Sequence, residues 1–351
     1  MKHYLDKYIF ATELNGRKII KDGYFLDLNN SDIDFLKKCI SSEFYNQCDY
    51  SSSYFQPPIF ITNVDSAVLF GNCGGVMIKD RLLVESFFSQ KKMFKSKAYR
   101  SIENFKEESK NEGSYTSIFH QYSLNNNIFH WYIECLPRLH LLAYIQKPIT
   151  ILCPSNLLAY QLRQIETLSS KYSNVKIELI NEDTVYKIKN YVFLSFLNNI
   201  RSGYLPKFAL DYYTELVPKS NNLTTKKRLF IDRHLNKARN IVNKNEVEEL
   251  LKKYNFEIVC LEELEPEEQM SFFKNLEIVV AVHGAGLTNL IFSEKVSVIE
   301  LHPDTKINPP YFFLCKAKKI RYSPIICKAI DGFNNIIVDV KILEQELKKV
   351  I

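Results

Sequence analysis

A histidine–glycine motif at the junction of two patterns is the sharpest candidate for chemistry. The apolar stretch EIVVAV predicts a buried strand, and a helical pattern follows from Gly286 to Phe292. The junction consists of His283, Gly284, Ala285 and Gly286. Glycine allows a tight turn and a close ligand approach, and a helix N-terminus attracts anions. The motif predicts a diphosphate site, although it also suits a plain strand-to-helix turn with a capping histidine.

Two neighbouring patterns add charged side chains at strand ends. Glu300 sits at the carboxyl end of the predicted strand SVIEL, and ligands of open α/β sheets bind beyond the carboxyl ends of strands. Its carboxylate can accept hydrogen bonds from both hydroxyls of a ribose, but a surface glutamate at a strand end would show the same pattern.

Arg233 and Arg239 flank the exit from the predicted strand RLFIDR. Guanidinium groups clamp phosphates, whereas a run of charges more often marks a solvated face.

A second candidate site combines a histidine with a carboxylate. His130 and Glu134 are four residues apart, so they share one face of a helix. Either can act as a general base while the other orients it. The same spacing also describes an ordinary polar pair, worth roughly 0.2–0.5 kcal/mol. Pro137 should kink this helix because it lacks a backbone amide hydrogen.

The elements that must position these residues alternate between strand and helix patterns. This alternation predicts an α/β protein with parallel, doubly wound sheets. Two such blocks in one chain predict two Rossmann-like domains that face each other across a cleft, with a β-meander starting near Ile59. The first domain would span residues 1–220 and the second residues 221–335. Residues 336–351 would include a closing helix.

Composition excludes several other classes of protein. The chain has 351 residues, of which 46% are hydrophobic and 25% charged, as in globular proteins. The net charge of +6 suits an anionic ligand or a membrane surface, and is too weak to indicate nucleic acid. Eight cysteines form no CxxC pair, so zinc-ribbon spacing is absent. No GxGxxG motif occurs, which disfavours a nicotinamide oxidoreductase.

The sequence also predicts where the protein works. The N-terminus shows no signal-peptide pattern, and no 18-residue apolar run indicates a transmembrane helix. We therefore expect a cytoplasmic protein. The frequent Lys, Asn, Ile, Tyr and Phe residues are typical of an AT-rich bacterial genome. The stretch Lys91–Arg100 interleaves cations with aromatic residues, which suits either a solvated loop or peripheral contact with the inner face of the plasma membrane.

Taken in order, the segments HWYIECLPRL, RLFIDR, VHGAGLTNLIF and VIELHP resemble glycosyltransferase family 61. That family includes plant xylosyltransferases, EGF-domain O-GlcNAc transferases and bacterial capsule or lipopolysaccharide enzymes. The resemblance implies a GT-B fold, inversion at the anomeric carbon and a nucleotide-sugar donor, with a UDP-sugar expected. It implies neither a metal nor another cofactor. The acceptor would be a glycan, free or lipid-linked, in surface polysaccharide biosynthesis.

The resemblance also implies roles for individual residues. Glu134 would be the base, with His130 as the second candidate or the orienting group, and Glu300 would bind the ribose. The donor diphosphate would lie against His283, Gly284, Ala285, Gly286, Leu287, Thr288, Asn289, Arg233 and Arg239. The alternative is a non-catalytic nucleotide- or glycan-binding protein with the same fold.

Overall fold

The computed structural model describes residues 8–39, 53–86, 104–120, 122–124, 127–199, 202–217 and 227–351. The stretch Lys91–Arg100 and the expected domain boundary at residues 220/221 lie outside the described residues. The described residues divide into two compact units. Unit one lies within residues 1–23 and 57–200, and unit two lies within residues 24–56 and 201–351.

The strands, in chain order, are β1 (Tyr8–Ile9), β2 (Lys18–Lys21), β3 (Tyr24–Asp27), β4 (Ser53–Gln56), β5 (Ile59–Val64), β6 (Ala67–Phe70), β7 (Val76–Ile78), β8 (Arg81–Leu83), β9 (Lys106–Lys110), β10 (Tyr115–Thr116), β11 (Ile149–Pro154), β12 (Val175–Ile180), β13 (Thr184–Ile188), β14 (Tyr191–Leu194), β15 (Lys227–Asp232), β16 (Phe256–Cys260), β17 (Leu276–Val282), β18 (Ser297–Pro303), β19 (Arg321–Ala329) and β20 (Ile336–Ile337).

The α-helices are α1 (Asn30–Lys37), α2 (Ala159–Ser169), α3 (Lys207–Tyr212), α4 (Lys244–Lys253), α5 (Pro266–Lys274), α6 (Pro310–Lys318) and α7 (Val340–Val350). A π-helix covers His130–Cys135. The 3-10 helices are Ala11–Glu13, Val84–Ser86, Leu136–Tyr144, Tyr213–Glu215, Leu261–Glu263 and Ala285–Phe292.

Unit one contains two mixed sheets. One has the order β12-β11-β10-β14-β5-β2, and its first four strands are parallel. These four follow the Rossmann order 3-2-1-4, so the strand order reverses between β10 and β14, where ligands of such sheets bind. The other sheet has the order β1-β8-β7-β6-β13-β9. Its antiparallel strands β6, β7 and β8 form a meander, while β5 belongs to the first sheet.

Unit two is built on a sheet with the order β16-β15-β17-β18-β19-β20. The strands from β16 to β19 are parallel, and β20 is antiparallel. Their order along the chain is 2-1-3-4-5, which reverses between β15 and β17. Val279 and Val280 of β17, which point to opposite faces of the sheet, are both fully buried, as expected for a strand covered on both faces.

The segment from β3 to β4 belongs to unit two, whereas the sequence patterns placed it in the first domain. Its aromatic side chains explain the difference. The ring of Tyr54 lies 4.2 Å from that of Phe313 in α6, and Phe35 of α1 lies 5.3 Å from Phe312. Lys316 of α6 also forms an ion pair with Asp32. These contacts join segments more than 250 residues apart, which local sequence patterns do not reveal.

The parallel strands in the main sheet of each unit, with helices between them along the chain, confirm the α/β class. The GT-B arrangement of two facing domains stays a prediction. In the described part of the chain, no helix combines the length and the apolar character needed to cross a bilayer.

Candidate functional site

The reversal point of the unit-two sheet brings several predicted residues together. Arg233 follows β15, and His283 and Gly284 follow the neighbouring parallel strand β17. A Cβ atom at Gly284 would lie 2.2 Å from Nη1 of Arg233, so glycine makes room for this guanidinium. Arg239 donates from its Nη1 to the carbonyl oxygen of His283 at 2.5 Å.

A cavity of about 170 Å³ opens beside these residues. It is lined by Phe230, Ile231, Asp232, Arg233, His234, Arg239, Asn240, Ile241, Lys244 and Val282. Within the described residues, neither Arg233 nor Arg239 forms an ion pair with a carboxylate. The cavity therefore carries positive charge that an anion can balance.

The electrostatics of the cavity wall support this description. Burial lowers the pKa of Arg233 and of Arg239, and the charge of Arg239 lowers that of Arg233 further. Arginine nevertheless stays charged in proteins. Oδ2 of Asp232 lies 2.7 Å from Nζ of Lys244 and 2.6 Å from Nδ1 of His234. Burial opposes the charge of Asp232, yet these hydrogen bonds lower its pKa. The carboxylate of Asp232 is thus already bound by Lys244 and His234, which also line the cavity.

Glu300 occupies a different environment from the one its strand-end position suggested. Its side chain is fully buried. Oε1 lies 2.6 Å from Nδ1 of His283, and Oε2 accepts a hydrogen bond of 2.7 Å from the hydroxyl of Tyr322. Nε2 of His302 lies 3.3 Å from the same Oε2. A ribose could reach this carboxylate only by displacing one of these partners, so the ribose role stays a prediction.

The coupling between Glu300 and His283 fixes the chemistry of the imidazole. Burial opposes the charge of Glu300, but His302 and His283 lower its pKa to about 2. An ionised Glu300 requires a proton on Nδ1 of His283. Burial lowers the pKa of His283, which leaves Nε2 as the basic nitrogen of a neutral ring. The geometry favours His283 as a proton acceptor rather than a donor to phosphate.

The end of the glycine motif faces the protein interior. Leu287 and Thr288 have no exposed surface, and Asn289 is also buried. Nδ2 of the Asn289 side chain donates to Oε1 of Gln269 and to the carbonyl oxygen of Gly286. The structure therefore brings Arg233, Arg239, His283 and Gly284 together, with Ala285 and Gly286 partly exposed next to them. Leu287, Thr288 and Asn289, the other three residues of the motif, contact only the interior of the protein.

A second cluster lies beyond β10 in unit one. Nδ1 of His130 lies 2.7 Å from Oε2 of Glu134, and Nε2 of His120 lies 2.9 Å from the same oxygen. The side chain of Glu134 is fully buried, whereas that of His130 is 10% exposed. The predicted pair is thus present, with His120 as a third member.

The charges of this cluster are strongly coupled. Burial opposes the ionisation of Glu134, but His130 and His120 hold its pKa well below the usual range. Burial also opposes the charge of His120, yet Cys135 and Glu134 raise its pKa to about 10. We therefore describe Glu134 as a carboxylate paired with a His120 cation. Because Glu134 is buried and weakly basic, the geometry favours it as the orienting group and His130 as the base.

The local helix geometry follows from Pro137. The amide of Leu136 bonds to the carbonyl of Trp131, five residues back, and the chain then continues as a 3-10 helix. Proline cannot donate a hydrogen bond in the next position, so the expected kink takes the form of a change of helix type. Arg138 is buried and donates to the carbonyl of Leu194 at the end of β14.

Several members of these clusters were not predicted, namely His120, Asp232, His234, Lys244, His302 and Tyr322. His302 is two residues after Glu300 on one strand, so strand alternation places both on one face and could have revealed it. His120 gives a weaker signal, because the strand before it, β10, has only two residues.

The family model for glycosyltransferase 61 matches residues 128–307, which include His130, Glu134, Arg233, His283 and Glu300. No curated protein matches the chain.

Proposed function

Because the chain belongs to glycosyltransferase family 61, we propose that it transfers a sugar from a nucleotide-sugar to a glycan acceptor with inversion at the anomeric carbon. A UDP-sugar is the proposed donor. The acceptor is a free or lipid-linked glycan of a bacterial surface polysaccharide, reached from the cytoplasm. The family supports a glycosyltransferase, while the donor, the stereochemistry and the acceptor are our proposals.

The observation that carries the donor proposal is the cationic cavity at the β15/β17 reversal point. Arg233 and Arg239 bring two charged guanidinium groups to it without carboxylate partners among the described residues. A diphosphate presents several oxygens in the geometry that guanidinium groups bind in pairs. The same charges would stabilise the diphosphate as it leaves, which is the task of a metal ion in other transferases. We therefore propose transfer without a metal.

Inversion in a single displacement also needs a base for the acceptor hydroxyl. We assign this role to His130, with Glu134 holding Nδ1 protonated so that Nε2 carries the lone pair. The charge of His120 balances that of the buried Glu134 carboxylate. His283 with Glu300 has the same arrangement in unit two and is the second candidate.

The proposed function is tested first by binding. Isothermal titration with UDP, UMP and uridine, all with EDTA, should show the tightest binding for UDP, since only UDP carries two phosphates. Arg233→Gln should weaken UDP binding by about 1.5–3 kcal/mol, the usual value of a hydrogen bond to a charged group. It should leave uridine binding nearly unchanged. Equal affinities for UDP and uridine would remove the cavity from donor binding.

A panel of UDP-sugars with a glycan extract as acceptor then tests turnover. Release of UDP with formation of a glycoside of inverted anomeric configuration, followed by NMR, would support transfer. The alternative, a non-catalytic binding protein, predicts that UDP-sugars bind but that neither transfer nor hydrolysis occurs.

A further inference from the structure

The edge of the unit-two sheet carries a cluster of three different metal-binding side chains. His234 follows β15, Cys260 ends β16, and Glu263 ends the 3-10 helix after β16. The three potential ligand atoms all lie within 4.8 Å of one another. They meet because β15 and β16 are parallel neighbours, with Asp232 paired to Cys260.

The separations in this cluster suit a shared ion. Nε2 of His234 lies 3.5 Å from Oε1 of Glu263. Two ligands of a tetrahedral zinc ion, each bonded at about 2.0–2.1 Å, lie about 3.3 Å apart. The two buried His–Glu–His clusters differ, because His130 and Glu134 approach to 2.7 Å and His283 and Glu300 to 2.6 Å. At those distances the histidine and the glutamate of each pair are hydrogen-bonded to each other, which leaves no room for an ion between them.

The histidine is also held as a metal ligand usually is. Its Nδ1 lies 2.6 Å from Oδ2 of Asp232. Asp232 is fixed in turn by Lys244 and by the backbone amide of Arg233. A carboxylate that binds the far nitrogen of a histidine fixes its tautomer and orientation in zinc sites. Here it directs the lone pair of Nε2 towards Glu263.

The types of ligand identify the ion. A thiolate with an imidazole favours zinc over magnesium, calcium or manganese, which prefer oxygen ligands. We propose that His234, Cys260 and Glu263 form a zinc site, with water as the fourth ligand. Binding releases the thiol proton of Cys260 to solvent and involves no redox step. The ion joins the loop after β15 to the end of β16, so it stabilises this edge of the sheet.

The test uses the untagged full chain, stripped of metal and titrated with Co²⁺ and then Zn²⁺. We expect one Co²⁺ per chain with thiolate-to-metal absorption in the near ultraviolet, which zinc abolishes by displacement. Cys260→Ser should lose this absorption. Cys327→Ser is the matched control, since Cys327 is a buried cysteine of β19 in the same sheet. It should keep the absorption.

Two further variants protect the test against misfolding. Glu263 has a side chain that is 59% exposed, so Glu263→Gln should fold normally. We expect it, like His234→Asn, to bind zinc at least about tenfold more weakly. Zinc should raise the melting temperature of the wild type and of Cys327→Ser much more than that of Cys260→Ser. A wild type without thiolate absorption, or zinc binding unchanged in Cys260→Ser and Glu263→Gln, would overturn the proposal.

Discussion

At the scale of single residues, Gly284 and Arg233 depend on each other. The guanidinium of Arg233 occupies the space that a Cβ atom at position 284 would need. Because this group ends a long and flexible side chain, a larger residue at position 284 would displace it without unfolding the sheet. Gly284 therefore contributes to anion binding because its missing side chain leaves space for the guanidinium of Arg233.

We predict that Gly284→Ala weakens UDP binding by about tenfold or more, since it moves one charged donor out of reach. Isothermal titration measures the change, and circular dichroism checks the fold. Gly332→Ala is the control, because a Cβ atom there would meet no atom within 4 Å. Equal UDP affinity in both variants would show that Arg233 has no part in donor binding.

A second prediction separates the roles of His130 and Glu134. His130→Gln should lower turnover by roughly 10²–10⁴-fold if His130 is the base. Glu134→Gln should lower turnover less and lower stability more, since it removes the carboxylate that lies 2.9 Å from Nε2 of the buried His120. The affinity for UDP should not change in either variant. His140→Gln, in the adjoining 3-10 helix, should behave as the wild type in transfer assays. A larger loss of turnover in Glu134→Gln would return the base to Glu134.

The pKa of His120 makes a prediction about stability and pH. Its value rises from 6.5 to about 10 on folding, with burial opposing the shift and Cys135 and Glu134 causing it. The folded state therefore holds this proton more tightly. The resulting stabilisation is complete below pH 6.5 and is lost as the pH rises through about 10. The difference in unfolding free energy between wild type and His120→Gln should shrink over that range. A difference that is constant with pH would rule out a charged His120.

At the scale of elements, the parallel strands of each unit place its cluster near a reversal of strand order. In unit two the reversal separates the loops after β15 and β17, which leaves room for the cavity between them. In unit one, His120 follows β10, and the buried Arg138 binds the end of β14. The π-helix between them sets His130 and Glu134 within hydrogen-bonding distance.

The segment from β3 to β4 gives a prediction at this scale. Leu36 of α1 is 1% exposed and packs in the cluster that includes Phe312 and Phe313. Leu36→Ala should lower the free energy of unfolding by about 2–5 kcal/mol, the usual cost of such a core cavity. Phe25→Ala, at a side chain that is 63% exposed, should cost about 0.5 kcal/mol or less. Chemical denaturation compares them. Similar losses would mean that α1 does not stabilise unit two.

At the scale of the whole molecule, the absence of a catalytic metal is the decisive prediction. We expect sugar transfer to continue in excess EDTA, because Arg233 and Arg239 supply the positive charge. EDTA would also empty the proposed zinc site, so the assay is run well below the melting temperature of the metal-free protein. Activity that disappears with EDTA and returns with Mn²⁺ or Mg²⁺ would contradict transfer by arginines alone.

The sequence by itself determined the α/β class and the strand ends where the charged residues gather. Arg233, His283 and Gly284 could be placed together because parallel neighbouring strands end at one edge. It did not determine the environment of Glu300. That position looks exposed in the sequence, but β19 brings Tyr322 against it and buries it. Burial depends on which element packs over a strand, and local patterns do not contain this information.

The same reason applies to the other differences. His120 joins Glu134 across 14 residues, and Asp32 in the segment from β3 to β4 pairs with Lys316 of α6. The sequence patterns identified the chemical types that each cluster needs, namely arginines, histidines and carboxylates. Only the tertiary structure decided which carboxylate orients a histidine and which histidine is charged, because hydrogen bonds and burial between distant segments set those pKa values.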